Sequence, residues 1–261
     1  MKKLIAFDQD DTLNITKLPI DEEMAHLLKK LLDNFKVCII SGTDWGVMKK
    51  NDIDPLLNLS EEVNFKNYYI MPTTGTQFWR YAGEEQAGED VENGWKREYA
   101  HFLSDEQVLL ISENIEKAAK DLGYWCESPA GEIIENRGSQ VTFSALGQWA
   151  TPEEKRVWDT DLSKRKEIIE QITPIFDESG IIAAIGGSTS IDVTLPGIDK
   201  AYAIDQLMKE TKMIKEDILF LGDKLQPGGN DYPVKTFGID TIEVQSCEDT
   251  KWVLRGLNAI Q

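Results

Sequence analysis

The run Leu4-Ile5-Ala6-Phe7 is apolar without a break and stops abruptly at Asp8-Gln9-Asp10-Asp11-Thr12-Leu13. Unbroken apolarity over so short a stretch suits a strand covered on both faces, as in the middle of a parallel sheet. Parallel neighbours need crossover connections, so helices must alternate with strands and the fold class is α/β. Ligands of open α/β sheets bind outside the carboxyl ends of the strands, which puts this acidic group at the edge where a site would open. Two readings accommodate three carboxylates so close together. They make an acidic strand-to-helix turn, with Asp and Thr as helix caps. Alternatively they hold a hard cation such as Mg2+, which takes carboxylate and carbonyl oxygens and shares them with a phosphate.

The same alternation recurs at both ends of the chain. Ile20 to Leu32 carries apolar residues at helical spacing, with Asp21 placed to cap its first turn. Phe35 to Ile40 reads as a second buried strand ending at Ser41-Gly42-Thr43-Asp44, and Tyr68 to Met71 as a third ending at Pro72-Thr73-Thr74-Gly75. Near the carboxyl terminus, Lys200 to Met208 is helix-like, and Ile218 to Leu221 is a buried strand that opens into Gly222-Asp223 and runs on to Gly229-Asn230-Asp231. Between these regions the pattern changes. Residues 83–94 are acidic and apolar-poor, consistent with an exposed turn or loop; long helices are expected over Glu106–Leu122 and Thr160–Phe176. The short alternating segments around Ile133, Gln140–Leu146, Ile181–Ile185 and Ser190–Leu195 suit antiparallel strands with one wet face. The expected organisation is a core of residues 1–81 and 196–261, interrupted by an α+β domain over 82–195.

A net charge of −18 argues against nucleic acid or a membrane surface as partner, since both are negative. An anionic substrate would have to be drawn in by local Lys, Arg, metal or helix amino termini. Three widely spaced cysteines resemble neither a disulfide framework nor a zinc site, and no apolar stretch reaches the roughly 18 residues of a membrane span. A reducing, cytoplasmic compartment is the default expectation.

Three strand-like runs thus end in polar turns that a parallel sheet would gather on one edge. Lys200 opens the helix before the last of them, within reach of the same crevice. Asp8-x-Asp10-x-Thr12, Ser41, Lys200, and Asp223 with Asp231 resemble, in order and spread, the four motifs of the haloacid dehalogenase superfamily of aspartyl phosphotransferases. The resemblance implies a Rossmann-like core and an inserted cap of the type II branch. It implies that Asp8 is the nucleophile and Asp10 the general acid and base, with Ser41, Gly42 and Lys200 binding the phosphoryl oxygens. Mg2+ would be held by Asp8, the carbonyl of Asp10, and Asp223, with Asp231 beside them.

Within that superfamily, Gly186-Gly187-Ser188-Thr189-Ser190-Ile191-Asp192-Val193 and the loop from Gly222 to Asp231 resemble the eukaryotic-type phosphomannomutases. Arg137, Ser190, Asp192 and Lys17 then become substrate-binding candidates, and some mutases of this type dimerise through their caps. Two departures stand out. Gln148 occupies a position where the mutases carry a phosphate-binding arginine, with Lys155 and Arg156 as nearby substitutes, and Asp11 replaces the glycine of Asp-x-Asp-Gly-Thr. Losing an arginine removes a charge and a bidentate fork. The expectation is therefore a Mg2+-dependent phosphatase of small sugar phosphates, ahead of a phosphomannomutase and of a non-catalytic phosphosugar-binding domain.

Overall fold

The opening apolar run forms strand β1, Leu4–Asp8, and all five of its residues are buried. Its neighbours in the chain are β2 (Lys36–Ile40), β3 (Tyr68–Met71), β4 (Gln77–Tyr81), β5 (Val91–Glu92) and β6 (Trp95–Ala100). A second group follows, β7 (Ile134–Asn136), β8 (Val141–Ser144), β9 (Ile182–Ile185) and β10 (Ser190–Thr194), before β11 (Ile218–Gly222) and β12 (Asp240–Glu243). The computed structural model describes residues 2–259.

Eight strands make one sheet in the order β12-β11-β1-β2-β3-β4-β6-β5. From β12 to β3 the neighbours are parallel, with Ala6 opposite Phe220 on one side and Cys38 on the other; β4, β6 and β5 extend the edge in antiparallel fashion. The order reverses at β1, whose successor β2 lies on one flank and β11 on the other. This is the switch point at which a crevice opens beyond the strand ends. Asp8 is the last residue of that strand.

Helices cover the sheet where the 3.6-residue pattern placed them. The helix Glu22–Leu32 starts at Asp21, whose carboxylate accepts from the Met24 N–H, and buries Met24, Ala25, Leu27, Leu28, Leu31 and Leu32. Truncating one such leucine to alanine costs about 2–5 kcal/mol, the lost transfer energy plus the cavity left behind. The carboxyl-terminal helix Cys247–Ala259 packs beside it, tied by Lys251, whose ammonium lies 2.6 Å from both Asp21 and Glu248.

The chain separates into two units, Met1–Ala100 with Ile198–Gln261, and His101–Gly197. The first boundary falls 19 residues later than the sequence suggested, at 100/101 rather than 81/82. The reason is β6, which pairs with β4 along its length and keeps the acidic segment 83–94 within the larger sheet as a hairpin excursion. In the inserted unit, a four-stranded antiparallel sheet of order β7-β8-β10-β9 turns Val141, Phe143, Ile191 and Val193 onto the helices Asp105–Asp121 and Ser163–Glu178. Strand alternation leaves Glu135, Thr142, Ser144, Ser190 and Asp192 on the opposite face. The helix expected from Thr160 begins at Ser163, and a separate short helix, Pro152–Trp158, precedes it behind a Thr151–Glu154 capping box. No helix among the described residues is long and apolar enough to cross a membrane.

Candidate active site

Three carboxylates and one ammonium meet at the carboxyl ends of β1 and β11. Lys200 opens the helix Lys200–Thr211, behind Asp199 as its N-cap, and is almost fully buried. Its Nζ lies 2.5 Å from Asp8 Oδ1 and 2.5 Å from Asp231 Oδ1. Asp231 is itself fixed, because its Oδ2 accepts from the backbone N–H of Lys224 at 3.0 Å. A Cβ on Gly222 would sit only 2.4 Å from that same oxygen, so the strand must end in glycine to let Asp231 close in. Asp223 completes the group, and one oxygen from each of Asp8, Asp223 and Asp231 lies within 4.8 Å of the others.

Charge is unevenly matched here. Burial pushes the Asp8 carboxyl up to about 7, against the pull of Lys200 and with Asp231 adding to the rise. Burial also works against the Lys200 ammonium, but Asp8 and Asp231 outweigh it and raise its pKa above the usual lysine value. Asp223 has one oxygen 3.0 Å from the Lys224 ammonium, while its Oδ1 is buried with no hydrogen-bond partner. A converging trio of hard oxygen donors with an orphaned carboxylate oxygen suits Mg2+. The residues present therefore fit the metal implied by the resemblance.

The turn after β1 explains the aspartate that replaces the usual glycine. Asp11 has φ 60°, in the left-handed region that glycine favours and that Asp tolerates better than most residues. Its carboxylate accepts from Thr16, from the backbone N–H at 3.3 Å and from Oγ1 at 2.8 Å, which clasps the loop. Asp10 stands apart from the carboxylate trio; its Oδ1 accepts from the Lys17 backbone N–H at 2.9 Å. Burial raises its pKa, and the Lys17 N–H opposes that rise. A carboxyl that keeps its proton to higher pH is what a proton donor needs.

Beyond β2, the Ser41 hydroxyl donates to Thr43 Oγ1 at 2.8 Å and accepts from the Thr43 N–H at 3.1 Å, with Gly42 half-buried between them. Thr43 was not among the sequence candidates, although its place two residues after Ser41 in a tight turn is the signal for it.

In the inserted unit, the polar sheet face gathers Arg137, Ser190 and Asp192. Arg137 donates to Glu135 at 3.2 Å, while Asp192 accepts from Gln140 at 2.9 Å and from Thr142 at 2.8 Å. Burial raises the Asp192 carboxyl, with Arg137 foremost among the groups that oppose the rise. Glu135 escaped the sequence reading, though its two-residue offset from Arg137 on a strand marks it as a neighbour. Lys155 donates to the carbonyl of Gln148 at 2.9 Å, which brings an ammonium to the position where the mutases carry arginine.

The profile of the family described as eukaryotic phosphomannomutase matches residues 24–259. A phosphomannomutase of Encephalitozoon cuniculi is 25% identical over 256 residues, covering 95% of this chain and 91% of that protein. Human phosphomannomutase 1 is 26% identical over 258 residues, covering 94% of this chain and 91% of its own length. Among solved structures, a carboxyl-terminally truncated Plasmodium falciparum IMP-nucleotidase superposes with a TM-score of 0.70 at 19% identity, over 100% of this chain and 72% of that one. A haloacid dehalogenase-like hydrolase from Bacteroides thetaiotaomicron gives 0.65 at 14% identity with full coverage of both chains. At such identities the structures speak for the fold alone; the profile, over nearly the whole chain, places this protein in the eukaryotic phosphomannomutase family, on the haloacid dehalogenase fold.

Proposed function

We propose that the protein interconverts phosphohexoses, mannose 1-phosphate and mannose 6-phosphate foremost, through a phosphoryl group carried on Asp8. The observation that carries this reading is the buried Lys200 bridging Asp8 and Asp231 beside Asp223, a ready-made place to bind and neutralise a phosphoryl group at the end of a central strand. An Asp8 oxygen attacks phosphorus of a hexose bisphosphate, the bond from phosphorus to the sugar oxygen breaks, and Asp10 supplies the proton that the departing oxygen takes up. The reverse sequence delivers the phosphoryl group to a hydroxyl of the monophosphate, with Asp10 now accepting the proton. Lys200 and the Ser41–Gly42 turn hold the phosphoryl oxygens, where positioning and charge supply most of the rate. Asp8, Asp223 and the Asp10 carbonyl would hold Mg2+, with Asp231 beside them, and the ion would add further positive charge at those oxygens. Arg137, Ser190, Asp192 and Lys17 are assigned to the sugar and its second phosphate.

Family membership supports isomerisation ahead of the hydrolysis that thinning of the arginines suggested. Hydrolysis remains a second reading because of Gln148, an uncharged residue where a guanidinium would grip phosphate. The two separate in one assay. Mannose 1-phosphate is supplied with Mg2+ and a catalytic amount of hexose bisphosphate, and mannose 6-phosphate is measured against inorganic phosphate. Isomerisation outpacing release is expected; release alone would establish the phosphatase, and neither product would overturn both.

A further inference from the structure

Gln9 separates the two aspartates assigned to the chemistry, and the turn that follows is hung on it. Its backbone carbonyl accepts from the N–H groups of Thr12, Leu13 and Asn14 at 3.3, 2.8 and 3.4 Å. Its side chain is anchored elsewhere, since Nε2 donates to Asp52 Oδ2 at 2.6 Å and both residues are buried. Asp52 lies in a π-helical turn, Lys49–Ile53, and its own carbonyl accepts from the Tyr68 hydroxyl at 3.2 Å, which ties it to β3. Single π turns within helices are frequent at functional sites.

On stability grounds the pair is a poor choice. Gln9 Oε1 and Asp52 Oδ1 are both buried without a hydrogen-bond partner, and an apolar pair of similar size avoids that desolvation. Burial lifts the Asp52 carboxyl well above the usual carboxylate range, with Asp10 adding to the rise and Gln9 opposing it. Asparagine is the nearest substitute for Asp52, since it keeps an oxygen of the same reach to accept from Gln9 Nε2.

We propose that Asp52 is a positioning residue that acts through Gln9: the pair fixes the turn joining Asp8 to Asp10, so that nucleophile and proton donor keep their separation in both half-reactions. This rests on the phosphoryl-transfer reading above. Loss of such alignment, on the order of 1 Å, lowers turnover by about 100-fold without a matching loss of binding.

The test compares wild type, Asp52→Asn, Asp52→Ala and the apolar double variant Gln9→Val/Asp52→Leu, each by steady-state kinetics and thermal unfolding. Expected are a kcat within about 3-fold of wild type for Asp52→Asn, and a kcat about 10- to 100-fold lower for Asp52→Ala and the double variant, with KM moved less than about 3-fold. The double variant should unfold at or above the wild-type temperature. A double variant with wild-type kcat would overturn the proposal. So would one less stable than wild type, because packing alone would then account for the pair. Crystal structures of the variants add a readout independent of turnover. The Asp10 carboxyl should shift relative to Asp8 by about 1 Å, and superimposable carboxyls would count against the pair even if the wild type turned over no phosphohexose.

Discussion

The core strand ends and the polar face of the inserted sheet both gather acidic side chains, but they treat charge differently. At the ends of β1 and β11, Asp8 and Asp231 share the buried Lys200 ammonium, while Asp223 has one oxygen beside the Lys224 ammonium and the other without a hydrogen-bond partner. On the inserted sheet, one guanidinium sits with Glu135, and Asp192 is held by two neutral donors. The first arrangement asks for a cation from outside the chain. The second satisfies its acids within the sheet, one by a guanidinium and one by neutral donors, so under the proposed function a phosphate there would be recognised less by net charge than by the shape of the donors. Under the proposed function, the insert is then where a preference for a second phosphate would be set, apart from the chemistry at the core strand ends.

The largest test removes the nucleophile. Asp8→Asn should lower turnover by at least about 10⁴-fold, read as product formed from mannose 1-phosphate, because an amide cannot take Asp8's proposed role as phosphoryl carrier. A smaller loss would break the core half of the comparison. Lys200→Met should next cost about 3–5 kcal/mol in urea unfolding without divalent ions, since buried carboxylates lose their cation. Millimolar Mg2+ should restore part of that loss by binding the folded state only. A variant indifferent to Mg2+ would show that the trio does not ask for a metal.

For the insert, Gln148→Arg should raise the ratio of isomerisation to phosphate release by about 10-fold, the worth of a charge-assisted bidentate contact. An unchanged ratio would mean that the position does not decide between the two outcomes. The smallest effect concerns Asp52, which belongs to neither group. Its folded pKa is raised, so the folded state binds the extra proton. Its contribution is therefore full below about pH 4, the unfolded value, and is lost as pH rises through the folded pKa. Asp52→Asn removes that slope, so urea unfolding of the variant should lose less stability between pH 5 and 8 than the wild type does.

Much of the core site was legible because its parts sit at strand ends, where an apolar run breaking into polar residues is a local signal. β1, β3 and β11, Lys200 and the Asp223 loop all announce themselves this way. What escaped depended on pairing between distant segments. The strand Trp95–Ala100 alternates weakly, so only its ladder with Gln77–Tyr81 shows that it belongs to the larger sheet. The edge strand Asp240–Glu243 is too short and polar to stand out. Glu135 and Asp52 are acids in unremarkable contexts, and their roles arise from Arg137 and Gln9, which folding brings to them.

Asp11 bears on time rather than on charge. A glycine at φ 60° would remain free to visit both halves of backbone space, whereas an aspartate clasped to Thr16 gives up that freedom once, when the chain folds. The loop beside Asp8 is thus ordered before any ligand arrives, and no binding event has to order it again.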